Sequence, residues 1–222
     1  MIGTKLNVKL ITILLFVCMQ MNELSAQGAT KYGESTNSST NFVDQNGKVS
    51  SVARVSKIGK KLLAPGDTYG GGKVAYILQS GDPGYSATEQ HGLIAALADQ
   101  STGIRWNNGS NTTTGAIATA IGTGLANTNT IITKQGATAT SYAAGLARAY
   151  TGGGYSDWYL PSKDELNKLY LNRVVVGGFA SAYYWSSSES SKFNAGVQTF
   201  ANGTQTNLSK NNAYYVRAVR AF

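Results

Sequence analysis

With one cysteine, one histidine and three prolines in 222 residues, this chain is shut out of much chemistry before any pattern is read. The cysteine, Cys18, lies in an apolar run near the N-terminus, so disulfides, cysteine nucleophiles and thiolate metal sites are not expected in the folded part. The histidine, His91, would have to serve any Ser-His-Asp arrangement, and no serine stands in a G-x-S-x-G elbow. Charged residues make up only 14% of the chain, with a formal balance of +8. That excess permits attraction to polyanions, but without a dense basic stripe nucleic acid is not the expected partner. No apolar run approaches the ~20 residues of a spanning helix. The triple glycines at 70–72 and 152–154 lack the flanks of dinucleotide or phosphate loops and read as turns.

The first 26 residues read as a secretory signal. Lys5 and Lys9 precede the apolar run Leu10–Val17, and Leu24-Ser25-Ala26 offers a cut before Gln27. A lipidated Cys18 would place Leu15 three residues ahead of it, but Val17 is bulkier than the residue usual before such a cysteine. We read Cys18 as a small hydrophobe in a discarded segment. Residues 27–68 form a Gly/Ser/Thr/Asn leader followed by a small β-rich lead-in, with a hairpin at Asn46-Gly47. Residues 69–222 form the main domain. The expected product is therefore secreted, or held at the cell envelope or surface.

Within that domain, Lys73–Gln79 and Gly92–Ala98 are apolar runs expected as buried strands. Asn127-Thr128-Asn129 is expected to cap a helix reaching Lys134, and Ala139–Tyr150 a second helix. The stretch GGGYSDWYLPSKDELNKLYL, 152–171, contains the sharpest local signal. Leu160-Pro161 is extended, Ser162 is an N-cap, and Glu165 three residues on completes a capping box. Leu166, Leu169 and Tyr170 then share one helix face. Strands follow at 193–200 and 204–208, and Tyr214–Phe222 reads as one closing strand buried on both faces. Strands, two or three helices, then an antiparallel meander define an α+β domain.

The acids Asp157, Asp164, Glu165 and Glu189 offer a glycosidase pair only if held at a suitable separation, and capping already occupies two of them. Calcium could take Asp157, Glu189 and carbonyl oxygens, but no ligand spacing supports it, so no cofactor is expected. The C-terminal third is rich in Ser, Asn, Gln and Tyr, the adaptable chemistry of recognition surfaces. Tyr183, Trp185 and Tyr215 would supply aromatic faces, and Asn194, Gln198, Asn202 and Gln205 hydrogen bonds. Glu189 and Lys192 would add charge to the same ligand-binding surface. Lys192, Lys210, Arg217 and Arg220 together would favour a sulphated or acidic ligand. A solvated polar β-surface is the competing account.

HGLIAA at 91–96, IGTGLANTNTII at 121–132, GGYSDWYLPSKDEL at 153–166, YWSSSE at 184–189 and VRAVRAF at 216–222 occur in the order found in a known family. Over Tyr69–Phe222 the chain resembles the C-terminal domain of the Legionella collagen-like adhesin and its relatives, including the Fibrobacter major paralogous domain. The resemblance implies a C-type-lectin-like fold, a bacterial exported protein without enzymatic activity, and binding to glycans, sulphated ones in the adhesin branch. The adhesin's Gly-X-Y stalk is absent, and so are the Glu-Pro-Asn and Gln-Pro-Asp calcium motifs of animal lectins. W-x-L-P-S-x-x-E-L is also similar to an element of the formylglycine-generating enzymes, whose essential cysteines this chain lacks. The alternative is a module that binds a host or neighbour-cell surface protein, with a C-terminal surface diversified for partner choice.

Overall fold

The computed structural model describes residues 40–43, 49–52, 62–136 and 139–222. The chain divides into two compact units, Met1–Gly59 and Lys60–Phe222. In the first, β1 (Thr40–Val43) pairs antiparallel with β2 (Val49–Val52), Val43 opposite Val49. The turn expected at Asn46-Gly47 lies outside the described residues. The expected signal segment, 1–26, lies outside the described residues.

The second unit begins its regular structure with β3 (Thr68–Tyr69), β4 (Gly72–Ile77), β5 (Gly92–Ala96) and β6 (Ser101–Ile104). The helices α1 (Gly124–Gln135), α2 (Ala143–Ala149), α3 (Lys163–Leu171) and α4 (Arg173–Val176) follow. The chain closes with β7 (Tyr183–Glu189), β8 (Asn194–Thr199), β9 (Gln205–Ser209), β10 (Tyr214–Val216) and β11 (Val219–Ala221). One sheet runs β11-β5-β4-β3, all antiparallel, and the other β6-β10-β7-β8-β9. In the second, β7-β8-β9 is an antiparallel meander, while β10 lies parallel to β7 with Tyr215 opposite Tyr184. This is an α+β architecture of the C-type-lectin-like kind.

The closing stretch is not one strand. β10 belongs to one sheet and β11 to the other, and Arg217-Ala218 carries the chain between them. Val216, Ala218 and Val219 are all fully buried, the first two in one apolar cluster and Val219 in another. The cluster of Val216 and Ala218 also holds the three tryptophans, Trp106, Trp158 and Trp185, each with no exposed surface. Each indole N–H still finds a carbonyl: Trp106 donates to Ser186 (2.8 Å), Trp158 to Gly152 (3.1 Å) and Trp185 to Ile104 (2.8 Å). A buried indole donor left unpaired would be costly, so these bonds fix the ring orientations.

The 158–166 segment organises the centre. Tyr159 exchanges backbone hydrogen bonds with Val219 (2.8 and 2.9 Å), extending the first sheet past β11. Ser162 and Glu165 form the expected capping box at the start of α3. The Glu165 carboxylate accepts from the Ser162 N–H and the Gly122 N–H, both at 2.8 Å. Burial pushes the Glu165 carboxyl up, against backbone hydrogen bonds from Ser162, Gly122 and Gly124 that pull it down. The Ser162 hydroxyl accepts from Glu165 N (3.3 Å) and donates to the Ala120 carbonyl (2.9 Å). Ser162→Ala should therefore cost about 1 kcal/mol of stability with ligand binding unchanged. Urea titration beside a binding assay checks this, and lost binding at unaltered stability would refute it.

α1 starts earlier than the Asn127-Thr128-Asn129 cap predicts, at Gly124. A Cβ on Gly124 would lie 2.2 Å from Glu165 Oε2, so only glycine lets the helix open against the capping box. Asn127 and Thr128 lie inside the helix, buried. Asn127 donates to the Ala118 carbonyl (2.6 Å), and the Thr128 hydroxyl bonds both the carbonyl and N–H of Leu160 (3.2 and 3.1 Å). The expected Ala139–Tyr150 helix is divided into a 3-10 turn at Ala139–Ser141 and α2, where Ala143, Ala144 and Ala147 pack closely into the core. Among the described residues, no helix is long and apolar enough to cross a membrane.

Candidate functional site

β7 is aromatic at its start and hydroxylated further on, and Ser186–Ser188 are interior. Ser186 Oγ donates to Gly196 O (2.8 Å) and Ser188 Oγ to Ala118 O (2.7 Å). Their neighbour Glu189, at the end of the strand, is the hub of one end of the domain. Its carboxylate accepts the Thr114 N–H (2.8 and 2.9 Å to its two oxygens), the Gly115 N–H (2.8 Å) and the Lys210 ammonium. Lys210 also donates to the Thr112 carbonyl (3.0 Å) and sits over the Trp106 ring at 4.5 Å. Both charged side chains are buried, at 0% and 1% exposure.

That pair draws three loops together, 107–116, 190–193 and 210–213. Asn107, fully buried, donates to Asn111 Oδ1 (2.9 Å) and Asn211 Oδ1 (3.0 Å). Lys210 N–H donates to Phe193 O (2.9 Å), and the Ser190 and Ser191 N–H groups both reach Asn194 O at 3.1 Å. Asn108 joins the loops to the end of α1 through the Gln135 carbonyl (2.6 Å). Among the described residues, Gln135 Nε2 is the one buried side-chain nitrogen without a hydrogen-bond partner. The exposed rim carries Asn108, Ser110, Ser191, Lys192, Phe193 and Asn212, with Phe193 56% exposed. Asn212 donates to the Tyr214 hydroxyl (2.9 Å), whose ring lies 5.3 Å from Tyr183 and 4.9 Å from Trp185.

The nine residues proposed from sequence are not one surface. Glu189, Lys192 and Asn194 meet at the loop end. Gln198, Asn202 and Gln205 lie at the other end of β8, toward α3. There Gln198 donates to Asn167 Oδ1 (2.8 Å) and Gly203 O (3.0 Å), Gln205 donates to Lys163 O (2.8 Å), and Asn202 Oδ1 accepts from Thr204 N (3.0 Å) inside its own turn. Trp185, Glu189 and Gln198 are interior, with no surface to offer a ligand. Tyr183 and Lys192 are exposed, while Tyr215 is half-buried against Tyr184 at 5.2 Å.

Three of the four expected ligand-binding cations are also internal. Lys210 pairs with Glu189. Arg217, 1% exposed, bonds Asp99 Oδ1 (2.6 Å) and the Ala96 carbonyl (2.9 Å), and Asp99 in turn accepts from the Tyr184 hydroxyl (2.9 Å). Arg220 grips Asp157 with two bonds of 2.7 and 2.8 Å. Asp157 and Glu189, the acids considered for calcium, are thus each taken by a different cation, and no cluster of three or more potential metal ligands exists among the described residues. Of the four, Lys192 alone is exposed on the rim, beside the Phe193 ring. The loop asparagines Asn107, Asn111 and Asn211 and the exposed Phe193 were not singled out from sequence. The sequence does mark 107–115 as turn material through its Asn, Gly and Thr, but not as half of a site.

The loop end held by Glu189 and Lys210 is thus the polar end of an α+β, C-type-lectin-like scaffold. The family model of the Lcl C-terminal domain matches residues 95–220, more than half of the chain, and the protein belongs to that bacterial domain family. No curated protein matches it significantly.

Proposed function

We propose that this is an exported, non-enzymatic bacterial surface protein whose lectin-like domain binds a glycan at the loop end held by Glu189 and Lys210. One observation carries the reading: a buried ion pair locks three loops into a fixed rim of amides and hydroxyls bearing one exposed cation and one exposed aromatic ring. Rigid positioning lowers the entropic cost of binding, and an aromatic face beside amides suits a sugar ring. Lys192, 5.6 Å from the Phe193 ring, would favour acidic or sulphated saccharides. An array including heparin-like polymers, run with and without calcium, tests the reading. Phe193→Ala and Lys192→Ala should each weaken binding about tenfold, the Lys192 effect shrinking in high salt. Uniform absence of binding to the array defeats the proposal.

Phe193, together with Ile117 at 71% exposure, also supports a second reading, a protein-binding module with a diversified C-terminal surface. Adenine-rich codons over 183–215 and a near-identical template repeat nearby in the coding DNA would favour it, and their absence would sink the diversified version.

A further inference from the structure

A second cleft lies away from the loop end, built on the two glycine triplets. Gly71 and Gly153 touch backbone to backbone: a Cβ on Gly153 would fall 2.2 Å from Gly71 Cα, and one on Gly71 would fall 2.6 Å from Gly152 O. This interlock sets Tyr69, just before one triplet, beside the same cleft as Tyr155, just after the other. Arg220 braces the arrangement. It holds Asp157 bidentately, donates to Gly70 O (3.3 Å), and lies over the Tyr155 ring at 3.8 Å. The cleft has a volume of about 300 Å³ and includes Tyr69, Tyr155, Glu89 and His91 in its walls. Tyr69 and Tyr155 stay 42% and 41% exposed, Tyr69 packed edge-on against Phe222 at 5.4 Å.

Next to it, a second hollow of about 250 Å³ is walled by Leu78, Leu93, Ile121 and Leu125. Both hollows share His91 and Phe222 as a common wall. His91 Nδ1 is 3.2 Å from the Phe222 carbonyl, and its Nε2 is 3.9 Å from the Glu89 carboxylate.

We propose that these adjacent hollows together bind a neutral pyranose bearing an apolar substituent. The sugar packs on Tyr69 and on the face of Tyr155 opposite Arg220, with its hydroxyls toward Glu89 and His91, and the substituent reaches past the His91–Phe222 wall into the Leu78–Leu125 hollow. Tyrosine faces beside a carboxylate and an imidazole match a ring with alternating C–H and O–H edges. The Arg220 charge is already neutralised by Asp157, and the carboxylate of Glu89 lines the cleft, so an anionic sugar is disfavoured. This cleft is separate from the rim carrying Lys192 and Phe193, and the proposal does not rest on that site.

The test is backbone amide chemical-shift mapping on the full chain with methyl, phenyl and hexyl β-glucopyranosides and the matching galactosides, with phenol and hexanol as controls. Shifts should localise to residues 69–71, 89–93 and 153–155, leaving 190–194 unmoved. The phenyl and hexyl glycosides should bind about tenfold tighter than the methyl glycoside, because the apolar hollow is filled. Tyr155→Leu and, separately, Tyr69→Leu should weaken every glycoside about tenfold, the worth of one aromatic contact. The proposal is overturned if no glycoside moves these resonances, if methyl and phenyl glycosides bind equally, or if phenol and hexanol bind as tightly as their glycosides. Shifts confined to 190–194 would overturn it while supporting the rim site.

Discussion

Glu189→Ala is expected to destabilise the domain by about 3–5 kcal/mol, the cost of leaving a buried charge without its partner. The substitution strands the Lys210 ammonium in the interior and leaves the Thr114 and Gly115 N–H groups without their acceptor. Lys210→Met should cost less than Glu189→Ala. The methionine fills the space against Trp106, and the remaining carboxylate keeps its two backbone donors. In the double variant Glu189→Ala/Lys210→Met the losses should be clearly less than additive, which equilibrium denaturation of the four proteins measures. Additive losses would show that the pair is not a coupled unit.

The same pair carries a pH signature. Burial pushes the Glu189 carboxyl up, but the Lys210 hydrogen bond and the Thr114 and Gly115 N–H groups outweigh it and hold the group below its ordinary value. A carboxyl depressed in the folded state adds stability that is complete above its unfolded value of ~4.3 and is lost as pH falls through the lower folded value. Burial also draws the Lys210 ammonium below its ordinary value, only partly offset by Glu189. By linkage both lowered values make stability rise with pH, the carboxyl's in the acid range and the ammonium's in the alkaline range, so the acid limb reports Glu189. Glu189→Gln should accordingly flatten the acid limb of the stability–pH curve, and an unchanged limb would contradict this.

How much of this was visible in the sequence depends on the range of the forces involved. The capping box at Ser162 and Glu165 is a contact across three residues, so spacing alone reveals it. The strands at 72–77, 92–96, 194–199 and 205–209 announce themselves by apolar runs and turn residues within a few positions. The break at Arg217-Ala218 does not. Val216, Ala218 and Val219 read as one doubly buried strand, because an apolar residue passing between two sheets looks the same as one buried on both faces of a single sheet. The cations misled for a related reason. Lys210, Arg217 and Arg220 look like surface charge until Glu189, Asp99 and Asp157, between 21 and 118 positions away, are seen to neutralise them. The loop end was half legible: Lys192 and Asn194 were reachable from composition, whereas Asn107 and Asn111 join them only through long-range closure by the Glu189–Lys210 pair.

The glycine interlock is the clearest such case, and it sets up the second large effect. Gly153→Ala should cost more than about 3 kcal/mol, a size reserved for a specific structural failure. Two costs add. At φ +66 the residue sits in the left-handed region, worth about 1–2 kcal/mol for a side chain. Its Cβ would also meet Gly71 Cα at 2.2 Å, and Gly71 is itself held at φ +83, so backbone rather than a flexible side chain would have to move. The neighbouring Gly154 separates the two costs. Its φ is +80, but a Cβ there meets nothing within 4 Å. Gly154→Ala should therefore lose only the left-handed strain, about 1–2 kcal/mol. Urea denaturation of the two variants gives the worth of the close approach as their difference, and equal losses would mean that the triplets do not interlock. If they do, Gly153→Ala moves Tyr69 away from Tyr155 and abolishes glycoside shifts at that cleft, while Gly154→Ala leaves them in place.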